Sequence, residues 1–365
     1  MSTVTFEQAN PLAASSNERN RFWVRLWLLV VVAFVFAIVT VGGATRLTES
    51  GLSITEWKPI HGVIPPLSVA EWEEEFTLYK RIPQYQQMNQ GMSLSEFKTI
   101  FWWEWAHRLL ARLIGLVFAI PLIFFWATGR LEPFLKPRLC GILALGAIQG
   151  GIGWWMVASG LVDRTDVSQY RLATHLTIAS LILASSLWVA EGLKRRDRVP
   201  PPTRGSLLVG LGLVALVVLQ IYLGGLVAGL NAGFIYNTWP LMDGSLIPAN
   251  LFALKPAWLS LFEDHLTVQF VHRMTAYLLF ILTLIHAIAA QGMSPNTWHS
   301  RTAWMLFGAV VVQAMIGIVT LLLVVPISWA LLHQFVGFAV LAIAIIHARG
   351  LKGEYPRPAA AAAAS

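Results

Sequence analysis

The sequence predicts an all-α integral membrane protein, with eight transmembrane helices in two tandem four-helix bundles related by an axis along the membrane normal. Three observations predict it. Hydrophobic residues make up 56% of the 365 residues and charged residues only 12%, a balance that a soluble core cannot bury. Eight apolar runs each approach the ~20 residues that a bilayer-spanning helix needs. These runs also repeat in order as two sets of four, with matching polar residues inside them.

The spans are expected at 22–44, 104–127, 139–159, 171–191, 206–229, 267–290, 302–324 and 328–348. The first is too long for a signal peptide and lacks a convincing cleavage site, so it counts as a helix. An even number of spans puts both termini on one side. With the termini inside, the inner segments collect Arg19, Arg21, Arg25, Arg130, Lys136, Arg138, Lys194, Arg195, Arg196, Arg198, Arg204, Arg301, Arg349, Lys352 and Arg357. The short outer loops hold only Arg164, Arg171 and Lys255. That bias is the mark of cytoplasmic termini. The net charge of +7 therefore reads as membrane orientation and contact with the lipid bilayer, not as nucleic-acid binding. The single cysteine, Cys140, permits no intrachain disulfide and no cysteine-based metal cluster.

The chain divides into a cytoplasmic tail 1–21, an N-terminal half 22–193, an inner linker 194–205, a C-terminal half 206–350 and a low-complexity tail 351–365. The N-terminal tail and the Pro-Ala stretch from Pro356 are expected to be loose. The outer loop 45–103 is too long for a simple connector. Within it, Leu67 to Tyr79 suits an amphipathic helix on the membrane surface, started by Pro65-Pro66. Ser95 to Trp103 leads into the second span.

The repeat rests on four ordered matches. Gln149-Gly-Gly-Ile-Gly153 answers Gln313-Ala-Met-Ile-Gly317, and Glu104-Trp-Ala-His-Arg108 answers Gln269-Phe-Val-His-Arg273. Gly42-Gly43 answers Gly224-Gly225, and His175 answers His333. Four spans per copy is an even number, so both copies point the same way.

His107, His175, His272 and His333 each fall a few residues inside an even-numbered span, at matched depth. Ionisable groups inside a membrane are rare and mark function. A zinc site wants three or four converging ligands. Two imidazoles per bundle, with no cysteine nearby, fit a six-coordinate haem iron better, held in the bundle core. Neighbouring glycines leave room for a flat macrocycle, although small residues also serve plain helix packing. Arg108 and Arg273 directly follow a histidine and need an anionic partner, which a haem propionate supplies; snorkelling to lipid phosphate is the alternative. Arg46 and Arg112 are further candidates. The halves differ at Glu104, one turn outward from His107, whose counterpart is Gln269. A carboxylate moves protons and an amide does not, so if one half holds a fixed cofactor and the other performs chemistry, the chemistry belongs with Glu104; a glutamate facing the surface at the interface is the alternative.

The chain resembles the haem A synthase family along nearly its whole length. The resemblance rests on Gly42-Gly-Ala-Thr-Arg46, on Leu47-Thr-Glu-Ser-Gly-Leu-Ser53 and on Glu56-Trp-Lys-Pro-Ile-His-Gly-Val-Ile-Pro-Pro66. Glu104-Trp-Ala-His-Arg108 and the later His175, His272 and His333 complete it. The lack of paired outer-loop cysteines is similar to the proteobacterial and mitochondrial branch. The resemblance implies that the C8 methyl of haem O is oxidised to a formyl group by two hydroxylations, for cytochrome oxidase biogenesis in the bacterial inner membrane. It implies haem B as cofactor on His272 and His333, haem O as substrate on His107 and His175, and a catalytic Glu104. Implied partners are a haem O synthase and an electron-transfer protein; self-association is left open.

Two rival readings remain at this point. His286 and His347 lie fourteen residues after His272 and His333, about four helical turns along the same face. A second haem there would make the protein a cytochrome b-type electron carrier. The repeat and the Gly/Pro-interrupted spans also suit a transporter of haem or a small molecule.

Overall fold

The computed structural model describes residues 11–58, 61–195 and 204–356. The tail up to residue 10, most of the inner linker, the tail from 357, and residues 59–60 in the signature loop lie outside the described residues. Among the described residues, eight helices are long and apolar enough to cross a membrane. In chain order, spans one to eight are Pro11–Leu47, Leu94–Ala127, Leu135–Ala158, Gln169–Leu193, Arg204–Gly229, His265–Met293, Trp298–Leu322 and Ile327–Lys352.

Two expected boundaries move by ten residues or more, each for a local reason. Span one starts at Pro11, not at residue 22, and Arg21 pairs with Glu132 at 2.8 Å. Span two starts at Leu94, not at 104: Ser93 and Glu96 form a reciprocal capping box that fixes the helix start further out. Just ahead of the Pro-Ala stretch the chain is tied to the bundle. The Tyr355 amide donates to the Gly192 carbonyl at 2.8 Å, and its ring packs on Phe134.

Spans one to four pack neighbour to neighbour in a ring, and spans five to eight do the same. Span four joins the two rings by packing on spans five and eight, and span one packs on span eight. The one-to-eight contact repeats the four-to-five contact, as a two-fold axis between the halves requires. The two glycines of each repeated pair have different duties. Gly42 and Gly224 face their own bundle, whereas Gly43 lies against Gln334 of span eight and Gly225 against Ala173 of span four. The rings differ in one place. Spans six and seven pack closely, but spans two and three touch only sparingly.

A continuous apolar core fills the inner parts of both bundles, from Leu28 and Val31 through Leu139 and Leu183 to Leu306 and Leu341. A separate outer core caps the N-terminal bundle. The loop helix Val69–Tyr79 is indeed amphipathic and starts at a Ser68–Glu71 capping box. Its apolar face is spent within the protein rather than laid on the membrane: Trp72, Phe76 and Tyr79 pack on Phe97 and Phe101 of the outward extension of span two. Burying such an aromatic side chain contributes roughly 1.5–3 kcal/mol, ample reason for the helix to dock there. Lys58 Nζ ties the descending loop to this helix, bridging Glu56 at 2.7 Å and Glu75 at 3.1 Å. Those hydrogen bonds, Glu56 first, hold its ammonium above the usual lysine range.

Candidate functional site

The four histidines occupy the part of the bundles outward of the inner core. His175, His272 and His333 stand six or seven residues after the first residue of their helices. His107 stands thirteen after its own, because span two is extended outward. Each half-buried imidazole faces a glycine of the preceding span. A Cβ added at Gly42 would come 2.8 Å from His107 Nε2, and one at Gly153 3.2 Å from His175 Cε1. At Gly224 it would come 3.2 Å from His272 Cε1, and at Gly317 2.7 Å from His333 Cε1. A side chain there would push the ring aside. Within each ring, the two histidine-bearing spans stand diagonally. His107 and His175 are electrostatic neighbours, and so are His272 and His333. Each of these pairs thus lies within one ring.

The fit to haem can be tested on groups that the protein leaves unsatisfied. Arg273 Nη2 donates to the Tyr236 carbonyl at 3.1 Å and to Gln269 Oε1 at 3.2 Å. Its Nε and Nη1 are buried without a hydrogen-bond partner, as are Nδ1 of His175 and Oε1 of Gln149, Gln220 and Gln313. Buried polar groups rarely stay unpaired. A guanidinium with spare buried donors beside a glycine-backed imidazole pair suits an iron porphyrin with anionic propionates.

The other three arginines have found protein acceptors. Arg108 Nη1 and Nη2 donate to the carbonyls of Glu56 at 3.0 Å and Ile54 at 2.7 Å, and Arg112 donates to the Lys58 carbonyl at 3.0 Å. Arg46 crosses between the halves to the Ala228 carbonyl and to Asn231 Oδ1. These bonds sew the signature loop to span two and join the end of span one to the end of span five.

Glu104 lies at the centre of that stitching. It is 2% exposed. Oε2 accepts from the Ser53 hydroxyl and the Ile54 amide, both at 2.8 Å, and Oε1 accepts from Arg108 Nε at 3.1 Å and Nη2 at 2.7 Å. Every group that faces it is a donor. Gln269 meets acceptors as well: its amide donates to the Tyr236 carbonyl at 2.9 Å and the Ala232 carbonyl at 3.4 Å. The Glu/Gln difference between the halves therefore has a structural cause in addition to any chemical one.

The second histidine pair stands too close to bracket an iron. His286 Nε2 and His347 Nε2 lie 2.8 Å apart in a direct hydrogen bond, and His347 Nδ1 is 2.7 Å from Thr302 Oγ1. An iron between two imidazoles holds the nitrogens about 4 Å apart, twice a metal–nitrogen distance of about 2 Å. Sequence reasoning missed Gln220, which contacts His272 from span five. The spacing Gln-x-x-x-Gly, shared by Gln149, Gln220 and Gln313, was the available signal.

The fold and site define a multi-pass membrane protein of two four-helix rings, with four imidazoles inside the spans, each backed by a glycine. Comparison with known proteins narrows the class. The chain belongs to the COX15-CtaA family of cytochrome oxidase assembly proteins, whose family model matches residues 25–345. It is 60% identical over 353 residues to the heme A synthase of Chelativorans sp. (strain BNC1), covering 97% of this chain and 98% of that protein. It is 61% identical over 343 residues to the heme A synthase of Sinorhizobium medicae (strain WSM419), with 94% of each chain covered. The heme A synthase of Agrobacterium fabrum (strain C58 / ATCC 33970) is 60% identical over 352 residues, with 95% of each chain covered.

Proposed function

We propose that this chain is a membrane oxidoreductase that converts haem O to haem A for cytochrome oxidase assembly. The observation that carries the reading is the duplicated imidazole pair, each ring backed by glycine, in a chain about 60% identical to heme A synthases along nearly its whole length. His272 and His333 hold a resident haem B, and Arg273 offers its unspent donors to a propionate. His107 and His175 hold the substrate. Bound haem supplies the redox chemistry at iron; the residues of the chain bind, orient and shield. One difference between the halves supports the assignment. The N-terminal ring packs more loosely between spans two and three than the C-terminal ring does between spans six and seven, which suits a ligand that comes and goes through the bilayer. The loop held by Glu104, Arg108 and Arg112 covers the N-terminal site, which suits a closed reaction chamber. Glu104, one turn outward from His107, acts at the reacting edge and positions the loop. Both termini face the cytoplasm of a bacterial cell, and a haem O synthase and an electron carrier are the partners.

The test is to express the chain with a source of haem O and to analyse the extracted haems by chromatography and mass. Haem A accumulates on this reading. Unchanged haem O, with the protein folded in the membrane, contradicts it.

A further inference from the structure

Three of the four histidines share a support that the fourth lacks. Gln149 Nε2 lies 3.2 Å from His175 Nε2 and donates to the His175 carbonyl at 3.1 Å. Gln220 Nε2 lies 3.1 Å from His272 Nδ1 and 3.3 Å from its Nε2, and donates to the His272 carbonyl at 3.0 Å. Gln313 Nε2 lies 3.2 Å from His333 Nδ1 and donates to the His333 carbonyl at 2.9 Å. Each glutamine stands four residues before the glycine that faces the same ring: Gly153, Gly224 and Gly317. In span one that glycine is Gly42, and four residues before it stands Ile38. Ile38 packs against the inner apolar core. Among the described residues, no hydrogen bond reaches the His107 imidazole.

The glutamines also carry an unspent group. Oε1 of all three is buried without a partner. An imidazole that gives one nitrogen to a metal carries a proton on the other, and that N–H needs an acceptor to fix the ring and make it a stronger ligand. The terminal torsion of a glutamine amide is soft, so turning the amide over puts Oε1 in the place of Nε2 beside the ring while the aliphatic stem stays in place. Isoleucine has no such atom.

We propose that Gln149, Gln220 and Gln313 are positioning residues, the acceptors that orient three haem-ligating imidazoles. Ile38, in turn, leaves His107 as a slack ligand, so that the haem on His107 and His175 exchanges while the haem on His272 and His333 stays. The proposal rests on the haem ligation set out above. It makes the asymmetry of support the feature that separates a substrate site from a cofactor site on one duplicated scaffold. The plain alternative is that the glutamines only cross-link neighbouring helices through the histidine carbonyls.

The experiment uses the full-length protein in detergent and follows haem transfer to excess apomyoglobin, together with the midpoint potential of the resident haem. Gln220→Met and Gln313→Met should speed transfer of the resident haem roughly 10- to 100-fold and raise its potential. Gln313→Glu keeps an acceptor oxygen and should restore retention with an unchanged or lower potential, a graded response that helix cross-linking does not produce. Ile38→Gln, in protein loaded with haem O, should slow departure of the haem O about tenfold. Unchanged transfer and potential in both Met variants, or unchanged haem O departure from Ile38→Gln, overturns the proposal. Wild-type protein that purifies without haem and takes up none overturns the ligation reading itself, and the proposal with it.

Discussion

At Glu104 both carboxylate oxygens meet only donors, from Ser53, Ile54 and Arg108. Replacing it by Gln would turn an amide N–H toward donors in a buried site, so Glu104→Gln should end haem A formation while the resident haem, in the other bundle, stays bound. Haem extraction and an optical spectrum on the same sample check both halves of that statement. Arg273→Met removes the guanidinium whose Nε and Nη1 have no protein partner. A charge-assisted hydrogen bond is worth about 1.5–3 kcal/mol, so resident haem per polypeptide should fall by about one to two orders of magnitude in retention during dialysis. The histidines were legible in the sequence because ionisable groups inside apolar runs are rare. The partners of the arginines were not. Arg46, Arg108 and Arg112 all find backbone carbonyls, and an acceptor present at every residue leaves no mark in a sequence.

Among elements, the outer loop is the most instructive. The helix Val69–Tyr79 could be read from Pro65-Pro66 and the alternation of acids and aromatics, but its docking partner could not. That partner, Phe97 and Phe101, lies on a stretch of span two that is too polar to count as membrane-spanning and is helical because of its capping box. Phe97 is fully buried in the outer core. Truncating a buried phenylalanine costs about 3–5 kcal/mol, so Phe97→Ala should release the loop. Limited proteolysis is expected to cut between residues 68 and 93 much faster, with haem A formation reduced and the resident haem retained. The spans themselves were legible to within a few residues wherever apolar character alone set them, as in spans four and five. They were misjudged where a cap or an ion pair, such as Arg21–Glu132, extended the helix beyond the apolar run.

For the molecule as a whole, duplication was visible as paired motifs, but the packing of the copies was not, because Gly42-Gly43 and Gly224-Gly225 look alike in sequence and their two members serve different contacts. A Cβ at Gly225 would lie 2.8 Å from Ala173 Cα, which is backbone and cannot yield. Overpacking of this kind costs about 1–3 kcal/mol. Gly225→Val should therefore lower the melting temperature in detergent, whereas Gly141→Ala, with nothing within 4 Å, should leave it unchanged. The central claim is that each bundle grips its own haem through its own histidine pair. The most direct measurement is haem content with the low-spin spectrum of an iron held by two imidazoles, before and after addition of haem O, in four single His→Ala variants. The resident low-spin haem should be lost or altered in the variants at His272 and His333 and kept at His107 and His175, which alone should fail to give the added haem O that spectrum. A resident haem that survives loss of His272 and of His333 unchanged would contradict the account.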